Sequence, residues 1–237
     1  MFVSIKTHVI VLLIIATLLP FILLKIVAYP IIQSGLKTVI MDNLEVIGHK
    51  QVELVTSWMH ERLKDVIVVA SNPNVVNSVK FTAKEREYKD TVKYLETLVT
   101  EYGYKGAFVS NNKGSIILAT SEDRVGNNIS EMDFFKHAIQ GKTFSSGIIP
   151  SKVPLINEFD EYETGLPTMF VASPLKDDDE SIIGIVVLRL HVAILSNLMQ
   201  NYAYGKTGES YLVNGQGYML TESRFTKHLK KRGTVKK

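Results

Sequence analysis

A single apolar segment near the N-terminus sets the strongest limit on what this chain can fold into. Between Val9 and Ile32, 20 of 24 residues are apolar, and the first sixteen of them, Val9 to Leu24, carry no charge. A helix of about 20 apolar residues is long enough to cross the hydrocarbon core of a bilayer. We therefore predict a transmembrane helix over residues 9–32.

A cleaved signal peptide is the alternative, because Lys6 supplies a basic residue ahead of the apolar core. That core is long for a signal peptide, and Ala28-Tyr29-Pro30 is a poor cleavage site. The pattern favours an uncleaved signal anchor with residues 1–8 as a cytoplasmic tail. We expect a single-pass protein of the inner membrane whose bulk is extracytoplasmic.

The charge distribution excludes a nucleic-acid-binding body. The net charge of +3 comes from the last twelve residues, Thr226 to Lys237, which hold six Lys or Arg and no acid. The other 225 residues carry 21 basic and 24 acidic side chains, a net charge of −3. No basic surface for a phosphate backbone is expected there.

Apolar residues recur at helical spacing after the membrane segment, which predicts a long stalk helix over residues 33–72. The positions are Leu36, Ile40, Leu44, Ile47, Leu54, Trp58, Leu63, Val66 and Ala70. Trp58, the only tryptophan, lies on this stripe and is interpreted as a packing or dimer anchor. The chain is expected to form a homodimer through the stalk.

The remaining pattern is typical of an α+β domain, an antiparallel sheet with helices packed on it. Predicted helices cover Lys84–Tyr102, Glu131–Gln140 (with Ser130 as N-cap) and His191 to about Tyr204; predicted strands cover Thr143–Ile149, Thr168–Leu175 and Ser181–Leu190. Hairpins are expected around the turns Asn111–Gly114 and Asn214–Gly217, and a charged loop over Lys176–Glu180.

No pattern of an enzyme is present. The chain lacks a glycine-rich phosphate loop, a His-Glu-x-x-His motif and a Gly-x-Ser-x-Gly motif. Its six histidines have no ligand-spaced pair, and with no cysteine there is no thiolate site or disulfide. We expect no catalysis, no metal and no cofactor.

Five short segments, in this order, resemble the double-Cache family, the extracytoplasmic sensors of bacterial chemoreceptors, sensor histidine kinases and cyclic-dinucleotide enzymes. They are Asn111–Gly114, Met132–Ala138, Glu163–Thr168 with Ala172–Leu175, Ile182–Val186, and Gly205–Asn214 with Met219–Phe225. The resemblance implies a membrane-distal PAS-like subdomain over 73–190, a connecting helix over 191–204, and the start of a proximal PAS-like subdomain over 205–237.

The resemblance also implies a ligand pocket between the distal sheet and residues 130–174. Amino-acid-sensing members have an Arg-x-Trp-Tyr pattern on the short helix and an Asp on the last strand. Here the matching helix segment reads Met132-Asp-Phe-Phe135, and Arg189 stands in place of the Asp. Both departures argue against an amino acid and favour a small carboxylate or other anion bound by Arg189.

Which way Arg189 points stays open, because a slip of one residue in the register turns a strand side chain to the other face. Of Phe134 and Phe135, one is expected in the core and the other in the pocket. Further candidate polar contacts, each with a purely structural alternative, are His137, Ser145, Tyr162 and Ser173. The four acids in Glu158–Glu163 lack the spacing of a calcium loop and are interpreted as a solvated loop.

The predicted function is therefore a membrane-anchored ligand-sensing Cache module of a bacterial receptor. An anchored adaptor without a working pocket is the alternative, and a surface hydrolase is disfavoured because no activated nucleophile is visible. By comparison with the family pattern, we expect the chain to stop before the part that would transmit the signal, as a fragment or one piece of a split receptor.

Overall fold

The computed structural model describes residues 5–80, 85–156, 161–202, 204–226 and 231–232. The chain divides into two compact units, Met1–Lys50 and Gln51–Lys237. Parts of two predicted features, the acidic loop at Glu158–Glu163 and the basic C-terminus, lie outside the described residues.

The first unit is helical. Helix α1 (Ile5–Leu23) is followed by a five-residue π-helical segment (Leu24–Ala28) and by α2 (Tyr29–Ala70), which continues into the second unit. Among the described residues, this helical run is the one long and apolar enough to cross a bilayer. No side chain in its apolar stretch is buried against the rest of the chain, as expected for a helix that faces lipid.

The second unit has a five-stranded antiparallel sheet in the order β2-β1-β7-β6-β3. The strands are β1 (Gly106–Asn111), β2 (Ile116–Ala119), β3 (Phe144–Pro150), β6 (Pro167–Lys176) and β7 (Ile182–His191); β4 (Leu155–Ile156) and β5 (Tyr162–Glu163) form a separate pair. The helices are the end of α2, α3 (Pro73–Lys80), α4 (Glu85–Tyr102), α5 (Asp133–Ala138) and α6 (Ala193–Asn201), with a 3-10 turn at Glu122–Arg124. The α+β class predicted from the sequence is confirmed.

The two faces of this sheet bury different cores because side chains alternate along each strand. Val186 and Leu188 belong to the larger core with Val66, Val69 and Leu95 of the long helices. Ile185 and Val187 belong to a smaller core with Phe108, Phe134 and Phe135. We call these the helix face and the pocket face.

The sequence predicted most of these elements within one or two residues, but two details were wrong. The short helix begins at Asp133 instead of Glu131, and its N-cap position is Met132, with no side-chain cap. The backbone N–H of Ser130 instead donates to Oδ1 of Asn128, in a turn that ends before the helix begins. Of the predicted stalk stripe, Leu36 and Leu44 are exposed within the chain, whereas Val66 and Ala70 are buried.

The two predicted hairpin turns have the same construction. Oδ1 of Asn111 accepts hydrogen bonds from the N–H groups of Lys113 and Ser115. In the second turn, Oδ1 of Asn214 accepts from Gln216 and Tyr218 in the same positions. In the second hairpin, Val213 pairs with Met219, and the N–H groups of Asn214 and Leu220 donate across the arms to the carbonyls of Tyr218 and Leu212.

A close backbone approach at Gly184 fixes how β7 pairs with β1. A Cβ atom at this position would lie 2.1 Å from the carbonyl oxygen of Ser110. Gly184→Ala should therefore force the strands apart and lower the free energy of unfolding by about 2 kcal/mol. Thermal unfolding of the full chain, followed by circular dichroism, measures the effect.

Gly48→Ala is the matched control, because nothing lies within 4 Å of a Cβ at that helical position. There alanine should leave the stability unchanged or raise it by up to ~1 kcal/mol through its higher helix propensity. Equal melting temperatures for Gly184→Ala and the wild type would show that the contact does not constrain the sheet.

Candidate functional site

Two adjoining cavities lie between the pocket face of the sheet and the chain segment 120–154. The polar cavity has a volume of about 190 Å³ and includes Lys105, Thr120, Ser121, Asp123, Arg124 and Arg189 in its lining. The apolar cavity has a volume of about 200 Å³ and includes Ile116, Ile129, Met132, Phe134, Ile149 and Phe170. Phe108, Arg124 and Val153 line both, so the two cavities are halves of one site.

Strand alternation places Arg189 on the pocket face. Its neighbours Leu188 and Leu190 belong to the core of the helix face, whereas Val187, two residues before it, belongs to the other core. The side chain is only 6% exposed. Of the two orientations that the sequence left open, the structure has the inward one.

Two hydroxyl groups hold the guanidinium of Arg189. Its Nε donates to Oγ1 of Thr168 at 3.3 Å, and one terminal nitrogen donates to Oγ of Ser151 at 2.9 Å. Both hydroxyls use their own protons elsewhere, Thr168 on the carbonyl of Leu190 and Ser151 on the carbonyl of Val153. They therefore act as fixed acceptors that orient the arginine.

No negative charge compensates Arg189 within the described part of the chain, where this side chain makes no ion pair. Burial, together with the positive charge of Arg124, lowers the pKa of Arg189 to about 10. Burial, Lys105 and Arg189 likewise lower the pKa of His191. The site is therefore positive and suited to an anion.

An aromatic cluster forms the wall of the apolar cavity. The rings of Phe134 and Phe170 lie 5.1 Å apart, and each lies 6.4 Å from the ring of Phe108 in an edge-on arrangement. Phe135 is buried in the same core but does not line the cavity. The structure thus places one of the two predicted phenylalanines in the cavity and the other behind it.

The other four candidate residues lie away from Arg189. His137 stacks on Phe144 at 4.1 Å, and Ser145 lies at a bulge of β3, where its Oγ accepts from the N–H of Gly147. Tyr162 is 77% exposed on β5. Ser173 is buried against Thr143 and lines a separate open groove of about 560 Å³. None of them lines either cavity.

Several residues that build the site were not predicted from the sequence. Thr168 and Phe170 follow the same alternation as Arg189 on the adjacent strand, so a period of two could have identified them. Ser151 lies in a loop and Arg124 ends a short 3-10 turn, and neither segment carries a periodic signal. Their contribution depends on how those segments cover the sheet.

Because Arg189 is a buried and uncompensated charge, it should reduce the stability of the ligand-free protein. Replacing it with methionine, of similar length and without charge, should raise the free energy of unfolding by about 1 to 2 kcal/mol. Since folding lowers its pKa, the cost is fully present at neutral pH and decreases only as the pH rises through about 10. Urea unfolding of the full chain between pH 6 and 9 should show a constant gain.

Arg62→Met is the matched control. Arg62 is also largely buried, but its Nε lies 3.2 Å from Oδ2 of Asp65, so its removal leaves that carboxylate without its positively charged partner. This variant should be less stable than the wild type. A loss of stability for Arg189→Met as large as that for Arg62→Met would identify Arg189 as a structural residue.

The comparisons with known proteins agree with this architecture. The sequence profile of the Cache domain, dCache_1, matches residues 32–236. A search of curated proteins found no match. Solved sensor domains of bacterial receptors share the fold at low sequence identity.

The sensor domain of the V. cholerae histidine kinase DctB aligns with a TM-score of 0.56 and 12% identity over 69% of this chain, which spans 60% of that domain. The sensory domain of the Campylobacter jejuni chemoreceptor Tlp3, with isoleucine bound, aligns with a TM-score of 0.54 and 17% sequence identity. The alignment covers 85% of this chain and 75% of that domain. The ligand-binding domain of the Pseudomonas aeruginosa amino acid chemoreceptor PctC aligns with a TM-score of 0.51 and 15% sequence identity. The alignment covers 77% of this chain and 76% of that domain.

These similarities confirm the family resemblance seen in the sequence. The profile covers most of the chain, and the described sheet and helices have the arrangement of these sensor domains. The chain belongs to the Cache domain family, in its double-Cache form.

Proposed function

We propose that this protein is the extracytoplasmic ligand-sensing module of a membrane-anchored bacterial receptor, and that its ligand is a small organic anion. The observation that carries the proposal is Arg189, a 94% buried cation with no carboxylate partner among the described residues, on the wall of a cavity. Cache domains are ligand-binding modules without catalysis, and membership of that family supports a binding role.

The anion follows from the chemistry of the arginine. Thr168 and Ser151 accept hydrogen bonds from two nitrogens of the guanidinium, and no described group accepts from the third. A carboxylate can accept two parallel hydrogen bonds from a guanidinium. It would also supply the negative charge that the protein lacks there.

Several related structures are described with amino acid ligands. Tlp3 is described with isoleucine, PctC with GABA and PctB with L-Arg. Each of these ligands has an ammonium group that needs an acceptor. Asp123 is the one acid in the described lining of the two cavities, and it is exposed and accepts the hydroxyl of Ser121. The site therefore favours an anion without an ammonium group.

The anchor is supported by the exposed apolar helix of the first unit, and the extracytoplasmic location by membership of the Cache family. A module of this kind acts by a population shift, in which the ligand binds one conformation more tightly than another. Its occupancy must therefore reach the helix that leads to the membrane segment.

A short polar connection joins Arg189 to α2. The N–H of Lys105 donates to the carbonyl of Arg189 at 2.8 Å. The preceding residue, Tyr104, donates its hydroxyl to Oδ2 of Asp65 on α2 at 2.6 Å. Arg62 pairs with the same carboxylate and packs over the rings of Tyr104 and Trp58. We call Trp58, Arg62, Asp65 and Tyr104 the stalk clamp.

Anion binding is tested by calorimetry on the full chain in detergent micelles, with a panel of mono- and dicarboxylates. At least one should bind saturably, and Arg189→Gln should weaken that binding on the order of tenfold to a hundredfold. Arg86→Gln, at an exposed arginine on α4, is the control and should leave it unchanged. Absence of binding across the panel would favour the anchored adaptor.

The stalk clamp makes Trp58, the only tryptophan, a reporter of the connection. Saturation with the bound anion should change its fluorescence emission. Tyr104→Phe removes the hydrogen bond to Asp65 and should reduce that change by at least about half while the affinity stays within about twofold. Tyr88→Phe, at a partly buried tyrosine that packs against the same core as the buried Tyr104, is the control. If the ligand-induced change in Trp58 fluorescence is undiminished in Tyr104→Phe, the stalk clamp does not carry the effect of the ligand from Arg189 to α2.

A further inference from the structure

We infer that the ligand is a monocarboxylate with an apolar body, an aromatic ring or a branched alkyl chain, and without an ammonium group. The inference rests on the proposed function and specifies the ligand class of the same site. It comes from the division of the site into a polar and an apolar cavity, with Arg189 at their boundary.

The position of Arg189 at this boundary is shown by its neighbours. Arg189 itself lines the polar cavity. Its two hydrogen-bond partners, Ser151 and Thr168, line the apolar cavity. A carboxylate bound to this guanidinium therefore has its remaining atoms adjacent to the apolar cavity.

The apolar cavity is built for a group that carries no charge. Its buried lining includes Phe134 and Phe108, with the ring of Phe170 5.1 Å from that of Phe134. Rings in this arrangement offer both edges and faces to an inserted aromatic group. Removing an apolar body from water here is favourable, whereas an unpaired charge would be strongly disfavoured.

A second carboxylate finds no buried partner. The cations that line the apolar cavity, Arg124 and Lys152, are half-buried and exposed respectively. They lie where a second charge would remain solvated, and solvated pairs contribute little. A dicarboxylate should therefore gain less from this site than a monocarboxylate whose remaining atoms are apolar.

The test is calorimetry on the full chain in detergent micelles with four probes that vary the charged groups and the apolar body of the ligand. They are phenylacetate, its neutral amide phenylacetamide, L-phenylalanine and succinate. Phenylacetate should bind at least roughly tenfold more tightly than the other three. Arg189→Gln should abolish the difference between phenylacetate and its amide.

Phe134→Ala tests the apolar half. It should weaken phenylacetate binding roughly tenfold and leave the weak binding of succinate unchanged. Phe135→Ala is the matched control, because it removes an equally buried ring from the same helix without opening the cavity. It should lower the melting temperature to a similar extent and keep the affinity for phenylacetate within about twofold.

The outcomes separate this inference from the proposed function. If succinate binds in an Arg189-dependent manner more tightly than phenylacetate, the proposed anion sensor stands and the apolar ligand class is wrong. If L-phenylalanine binds most tightly, an ammonium partner exists and the ligand class is wrong. If none of the probes and no member of the carboxylate panel binds, both are wrong.

Discussion

The pairing of β7 with both of its neighbours is the constraint on which the rest of the second unit depends. This central strand pairs with β1 from Gly184 to Arg189 and with β6 from Ile182 to His191. Its alternating side chains supply the helix face on one side and the pocket face on the other. A slip of one residue would place a charged arginine among the valines and leucines that pack on the long helices. The close contact at Gly184 disfavours such a slip.

Burying the charge of Arg189 lowers the stability of the protein, and no described residue offsets this by neutralising the charge. A buried cation normally has a carboxylate partner, as Arg62 has in Asp65. Arg189 has two hydroxyl acceptors, which orient the guanidinium without neutralising it. The pKa of Arg189 is lowered for the same reason, because burial and the positive charge of Arg124 both disfavour its charged form. An anionic ligand would remove the imbalance, so a ligand that binds this conformation selectively also stabilises it.

How much the sequence could predict depends on whether a feature has a pattern along the chain. The strands β6 and β7 were predicted closely because each is a nearly continuous apolar run, and the helix α4 because its apolar residues recur every three to four positions. The turns at Asn111 and Asn214 were predicted from local residue types alone. The face of Arg189 was left open, because the register of β7 is set by its partners. Ser151 and Arg124 could not be found, since they reach the site through a loop and a short 3-10 turn whose path is decided by packing. His137, Tyr162 and Ser173 were chosen as polar residues near the expected pocket, and the structure places them elsewhere.

Among the described residues of the second unit, α2 has polar attachments at two separate places, in addition to its apolar packing on the helix face. These attachments bear on how a small change at the site could be converted into movement of a helix. On the helix face, the stalk clamp ties it to Tyr104, two residues before β1. Further toward its N-terminus, the buried Gln51 donates to the carbonyl of Met199 and to the hydroxyl of Ser210, beyond β7. Both attachments lead back to β7, one through Lys105 and the other through α6. Both attachments are hydrogen bonds, whose strength depends on direction. A small displacement of β7 would therefore strain them more than it would strain non-directional apolar contacts. A ligand that draws Arg189 toward its carboxylate therefore acts on the one strand to which both attachments of α2 are connected.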